Sequence, residues 1–119
     1  MSKLIDEETL SSLRDLQSEE DPHFLKNYFN LFLQPLPQLI GAIEKSISEK
    51  DYAELAMSAH AIKSSSANSG VLLVSALCAE LEKMGHAKSS EGAAEKLATL
   101  KKYIFDVEVE IRALPEFKS

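Results

Sequence analysis

Residues 58–70 read S-A-H-A-I-K-S-S-S-A-N-S-G. An imidazole, His60, stands three residues before an ammonium, Lys63, and most of the side chains around them are no larger than serine. Imidazole is a good neutral nucleophile near pH 7 without special activation, so it could attack carbon, ligate a metal or accept phosphorus. Carbon chemistry usually needs a pocket, an oxyanion hole and a third orienting group. The sequence has no G-x-S-x-G, no Cys–His constellation with a supporting context and no glycine-rich phosphate loop. His23, His60 and His86 are far apart and form no H-x-x-x-H pair, so no metal is expected. Phosphorus remains. A phosphoryl group on His60 would bring negative charge, which Lys63 could offset. At about 5 Å and an effective dielectric near 20 one such pair is worth about 3 kcal/mol, and solvent reduces that severalfold.

The nucleophile must point outward to be used. On a helix, at about 100° per residue, Leu55, Ala59, Ile62 and Ser66 share a narrow arc that faces the protein interior. His60 falls roughly 130° from the centre of that arc, alongside Ala53, Met57, Ser64 and Ala67. Lys63 is about 60° from His60 around the same helix. The spacing therefore predicts a presented histidine, with little bulk to obstruct a large partner.

The rest of the chain supplies the elements that hold this helix. Its 119 residues suffice for one domain with a single core, here read as residues 1–119. Few glycines and prolines, four of each, favour helices over a sheet protein rich in turns. Residues 6–16 carry a weak helical stripe of Leu10, Leu13 and Leu16. Asp21 and Pro22 read as an N-cap and first helical position. Apolar residues then recur at three- and four-residue intervals from Phe24 to Ile47, with Pro35 and Pro37 predicting a kink or brief break. After a polar connection at 49–51, a helix is expected over 51–68, with Gly70 ending it. Another is expected over 71–84, with Leu73, Val74, Leu77, Leu81 and Met84 as its core stripe and Gly85 as its stop. Residues 86–91 read as a loop. The last helix begins near Gly92, carries Leu97, Leu100, Ile104, Val107, Ile111 and Leu114 on one face, and stops before Pro115. Amphipathic helices with short connections imply an all-α fold: an antiparallel four-helix bundle with an additional short N-terminal helix.

Composition narrows the partners. A formal charge of −6 disfavours nucleic acid or an anionic membrane surface. No run reaches the roughly 20 apolar residues of a membrane span. Met1-Ser2-Lys3-Leu4 opens no signal peptide, and the lone Cys78 can form no internal disulfide, so a cytoplasmic protein is expected.

The run A-H-A-I-K-S-S-S-A-N-S-G, followed by L-C-A-E-L-E at 77–82, resembles the histidine-containing phosphotransfer (HPt) domain of bacterial and eukaryotic phosphorelays. The preceding pattern around Phe29, Phe32, Leu33, Leu36 and Pro37 is also similar to that family, so nearly the whole chain takes part. The resemblance implies that His60 is the phosphorylated residue, that Lys63 supports the phosphoryl group and that Gly70 is the helix-ending glycine. It aligns Cys78, Leu81 and Glu82 with the family's second segment. Ser64 departs from the usual glycine, which bears on rate or partner choice. The implied mechanism is that a receiver domain carrying phosphoaspartate docks on the histidine face, His60 takes the phosphoryl group through a ring nitrogen, and a second receiver removes it. The assisting magnesium belongs to the receiver, and no cofactor of this chain's own is implied. Implied partners are response-regulator receiver domains and a hybrid histidine kinase, met by a monomer. Glu82 could accept a hydrogen bond from the other ring nitrogen and fix its tautomer; a solvated helix carboxylate is the alternative.

Other residues have plainer readings. Met57 and Ala61 border the histidine face and, with Ser64 and Ala67, are candidate receiver contacts. His23 reads as a first-turn residue, His86 as a helix C-terminal residue and Cys78 as core packing. A starting Met1 and a complete fold favour a free-standing protein. Two other classes stay open: a helical adaptor that binds receiver or kinase domains without being phosphorylated, and a self-standing kinase or phosphatase. Against a kinase, 119 residues hold no glycine-rich ATP lid, so a transfer intermediate without ATP-dependent activity is expected.

Overall fold

Capping residues and glycines set most helix ends in the computed structural model, which describes residues 4–118. Of the stretch scanned for a leader, Met1, Ser2 and Lys3 lie outside the described residues. The helices are α1 (Glu7–Asp15), α2 (Phe24–Leu33), α3 (Leu36–Glu49), α4 (Tyr52–Asn68), α5 (Leu72–His86), α6 (Ala93–Arg112) and α7 (Pro115–Lys118). Asp6 caps α1 by accepting the Thr9 N–H at 3.0 Å, and Asp51 caps α4 by accepting the Glu54 N–H at 3.2 Å. Gln34 and Pro35 stay in right-handed helical conformation between α2 and α3, so the helical run breaks only briefly there. Pro37 sits in the first turn of α3, where a missing N–H breaks no helical bond.

Four helices enclose the core in the expected bundle. α4 packs between α3 and α5, and α6 closes the ring against α5 and α3. Phe29, Ile43, Leu55, Ile62, Leu81, Leu100 and Ile111 are fully buried in one cluster. The N- and C-terminal segments are tied to each other beside it. Glu110 of α6 accepts the N–H groups of Leu4 and Ile5 at 2.8 and 2.9 Å. Arg14 of α1 makes a forked pair with Glu116 of α7 at 2.7 and 3.2 Å. That pairing raises the Arg14 pKa and lowers that of Glu116. Gly70, at φ 77°, ends α4 and carries α1 at the same time. Its carbonyl accepts the Asp6 N–H at 2.8 Å, and a Cβ there would stand 2.7 Å from Thr9. Burial pushes the Cys78 thiol up to about 12, in keeping with a packing residue.

Several expectations are corrected. α2 begins at Phe24, not at Pro22: residues 18–21 close a turn, with the Asp21 N–H donating to the Ser18 carbonyl, and His23 takes the cap position without a side-chain bond. Leu16 is exposed, as the C-cap of α1 after the buried pair Leu10 and Leu13. Leu73 is exposed too, because the inward row of α5 is Val74, Leu77, Cys78, Leu81 and Gly85. Beyond Leu114 the chain makes one more short turn, α7.

Gly85 is the most informative correction. It does not stop α5, which continues to His86. Gly85 is buried, and a Cβ there would meet the Ala56 nitrogen and the Tyr52 carbonyl oxygen of α4, both at 2.7 Å. The glycine lets two backbones approach where any side chain would part them. Gly85→Ala is therefore expected to cost about 1–3 kcal/mol by overpacking, read as a lower urea midpoint with an unchanged slope.

Candidate functional site

The approach of α4 and α5 at Ala56 and Gly85 sets up a polar cluster one turn away. From α4, Leu55, Ala59, Ile62 and Ser66 point into the bundle and are buried, as their spacing required. His60 is on the outer side with its side chain 58% exposed. Lys63 follows one turn on, and Glu82 reaches across from α5 with its side chain only 16% exposed. The Glu82 carboxylate is bound at both oxygens. Oε1 accepts from Lys63 Nζ at 2.5 Å, and Oε2 faces His60 Nδ1 at 3.0 Å.

The bond from Lys63 is the largest cause of a low Glu82 pKa, about 2; partial burial works against it and the bond from His60 adds to it. Glu82 is thus ionised throughout the neutral range. An ionised carboxylate only accepts hydrogen bonds. The ring nitrogen facing it, Nδ1, must then carry the hydrogen, and in the neutral imidazole Nε2 keeps its lone pair. That lone pair is on the side of the ring turned away from Glu82. The arrangement can hold the ring, fix its tautomer and balance positive charge that develops on it. Lys63 is held more closely than expected: its ammonium is engaged by Glu82 rather than standing free beside His60.

The binding candidates lie along the same outer row. Met57, Ala61 and Ala67 are exposed and Ser64 is half-buried. Met57 borders a cleft of about 570 Å³ between α4 and α5, shared with His60 and Glu82 and floored by Ala56 and Gly85. Among the described residues, no group of three or more His, Cys, Asp or Glu is arranged to hold a metal ion.

His86 belongs to this cluster although its spacing did not single it out. Its Nε2 is 3.5 Å from Oε2 of Glu82, the oxygen that also faces His60. The signal is a Glu-to-His interval of four residues on one helix, and the expected place of His86 at a helix C-terminus holds.

The low Glu82 pKa has a consequence for stability. A carboxylate whose folded pKa lies below its ordinary value, here 4.5 falling to about 2, stabilises fully above that ordinary value. The contribution is lost as pH falls through the window between the two. The stability difference between wild type and Glu82→Gln should be flat from pH 5 to 8 and shrink from about pH 4.5 downward, as read from urea unfolding at stepped pH.

Known proteins are similar to this chain in sequence and fold. The Hpt domain family model matches residues 27–110. Histidine-containing phosphotransfer protein 2 of Arabidopsis thaliana is 25% identical over 111 residues, covering 91% of this chain and 67% of that protein. The crystal structure of histidine-containing phosphotransfer protein B (HptB) from Pseudomonas aeruginosa matches with a TM-score of 0.83 over 94% of both chains at 19% identity.

Proposed function

The chain belongs to the Hpt domain family and is a phosphorelay intermediate, and from that premise we propose that His60 is the residue that carries the phosphoryl group. The observation that carries this reading is the Glu82 bridge, which leaves Nε2 of an exposed imidazole as its free lone pair. The family's partners are two-component proteins such as receiver domains. For this chain, the donor is a phosphoaspartate on a receiver, such as that of a hybrid histidine kinase, and the acceptor is the aspartate of a second receiver. The Nε2 lone pair forms the new N–P bond while the acyl-phosphate O–P bond breaks, its electron pair going to the receiver carboxylate. Nδ1 keeps its proton, so the phosphorylated ring is cationic and faces the Glu82 carboxylate. Lys63 offsets the charge of the arriving phosphoryl group.

The outer row of α4 supplies the docking face. Met57 and Ala61 give apolar contact on either side of His60, and Ser64 and Ala67 keep the approach low, with a hydroxyl where the family usually has glycine. Past Ala67 the row meets a shallow hollow at Asn68, edged by Tyr28 and the exposed Leu31 of α2. Such a face suits a folded partner better than a small substrate. The protein acts as a monomer, uses no ATP and holds no cofactor of its own, since the magnesium used in transfer is the receiver's. A cytoplasmic setting fits the unpaired Cys78, and among the described residues no helix is long and apolar enough to cross a membrane.

The test is transfer from a panel of prephosphorylated receiver domains. Wild type should be labelled within seconds to minutes by one or two receivers, with acid-labile label, and His60→Gln should take none. Lys63→Ala should slow labelling roughly 3- to 10-fold, the effect of about 1 kcal/mol of charge compensation. Labelling of His60→Gln at the wild-type rate would overturn the assignment. Receiver binding without labelling of wild type would favour an adaptor.

A further inference from the structure

Two imidazoles share one carboxylate oxygen, and only one of them has a role in the reaction described above. We propose that His86 is a positioning residue: through Oε2 of Glu82 it sets how tightly Nδ1–H of His60 is held, and thereby how long the phosphoryl group stays on Nε2. This rests on His60 being the phosphorylated residue.

His86 is the last residue of α5, with its side chain 69% exposed and its Nε2 3.5 Å from Oε2 of Glu82. It shares the cleft between α4 and α5 with His60. The charged and titratable groups facing it are Glu82 on its own helix, Tyr52 and His60 from α4, and Lys88 from the connection to α6. Lys63 is bound on the far side of Glu82. The carbonyl end of α5 favours a cation at this place. So much exposure leaves His86 little part in the core, and substitution there should leave the bundle intact.

The coupling follows from the chemistry of the phosphorylated ring. With Nδ1 protonated, departure of the phosphoryl group from Nε2 leaves a neutral imidazole, which is a good leaving group. With Nδ1 deprotonated, departure would leave an imidazolate, and the N–P bond is long-lived. The Glu82 carboxylate favours the protonated ring. A second cation on the same oxygen, at position 86, weakens that preference and lengthens the life of phospho-His60. An uncharged side chain at 86 leaves Oε2 to His60 and shortens it. Imidazole changes charge between pH 5 and 8, so the hold on the phosphoryl group responds to proton concentration in that range.

The test compares wild type, His86→Gln and His86→Arg in two measurements. The first follows the His60 ring by ¹⁵N NMR through a pH titration of the unphosphorylated protein. The His60 midpoint should be lower in His86→Arg than in His86→Gln by on the order of half a pH unit, the effect of one added charge beside the shared oxygen near a solvated surface. The second follows decay of the label on His60 from pH 5.5 to 8. Above the midpoint of the phosphorylated ring, where the protonated fraction sets the rate, His86→Arg should hold it about threefold longer than His86→Gln, that half unit expressed as a rate. Wild type should track the Arg variant at the acid end and the Gln variant at the alkaline end, a crossing that a merely structural role would not produce. Equal His60 midpoints and equal decay in the two variants would overturn the proposal. Failure of wild type to label on His60 with any receiver would overturn the function on which it rests, and the titration, which needs no phosphoryl group, distinguishes that failure from loss of the coupling itself.

Discussion

One carboxylate organises the site. Glu82 holds an ammonium on one oxygen and an imidazole on the other, and each bond makes the other more useful. Lys63 holds the Glu82 pKa well below its ordinary value, and the ionised Glu82 can accept only from a protonated Nδ1. A surface histidine is otherwise free to exchange tautomers and rotate. Here its open lone pair is assigned to Nε2, on the exposed side of the ring.

That bridge in turn depends on the distance between two helices. Gly85 and Ala56 bring α4 and α5 together until backbone meets backbone, one turn from Glu82. Further along, Ser75 of α5 donates to the Lys63 carbonyl at 2.9 Å and fixes the register of the same pair. A side chain at position 85 would part the two helices and carry Glu82 away from His60. The small side chains of α4 thus act on two sides: inward they permit the approach, and outward they leave room for a partner. At the far end, Gly70 closes α4 and gives α1 its seat, so the exit of the histidine helix is part of the packing of the N-terminal segment.

Much of this was legible in residue order. The arc of Leu55, Ala59, Ile62 and Ser66 fixes where His60 points, because a helix has one period and the buried face must be apolar or small. The helices expected from residues 6 and 51 do start there, each held by a local aspartate cap. Gly85 was opaque for a physical reason: a glycine can end a helix or admit a neighbour, and the choice depends on Ala56, which lies 29 residues earlier. The contact of His86 with Glu82 becomes visible only with the helix continuous through Gly85. Leu73 and Val74 are equally apolar neighbours, and packing against the other helices selects Val74. Asp21 and Pro22 carry the signs of a helix start, yet a turn formed from Ser18 uses them first. The Lys63–Glu82 bond joins two helices and has no local signature.

The central claim is that Nε2 of His60 is the atom that bears phosphorus, because Glu82 occupies Nδ1. The most direct measurement is ¹⁵N–³¹P NMR on protein labelled at its histidines and phosphorylated by a receiver domain. The account requires phosphorus coupled to Nε2 of His60, with a hydrogen on Nδ1 that is lost from this arrangement in Glu82→Ala. Phosphorus on Nδ1, on another histidine or on a serine oxygen would contradict it.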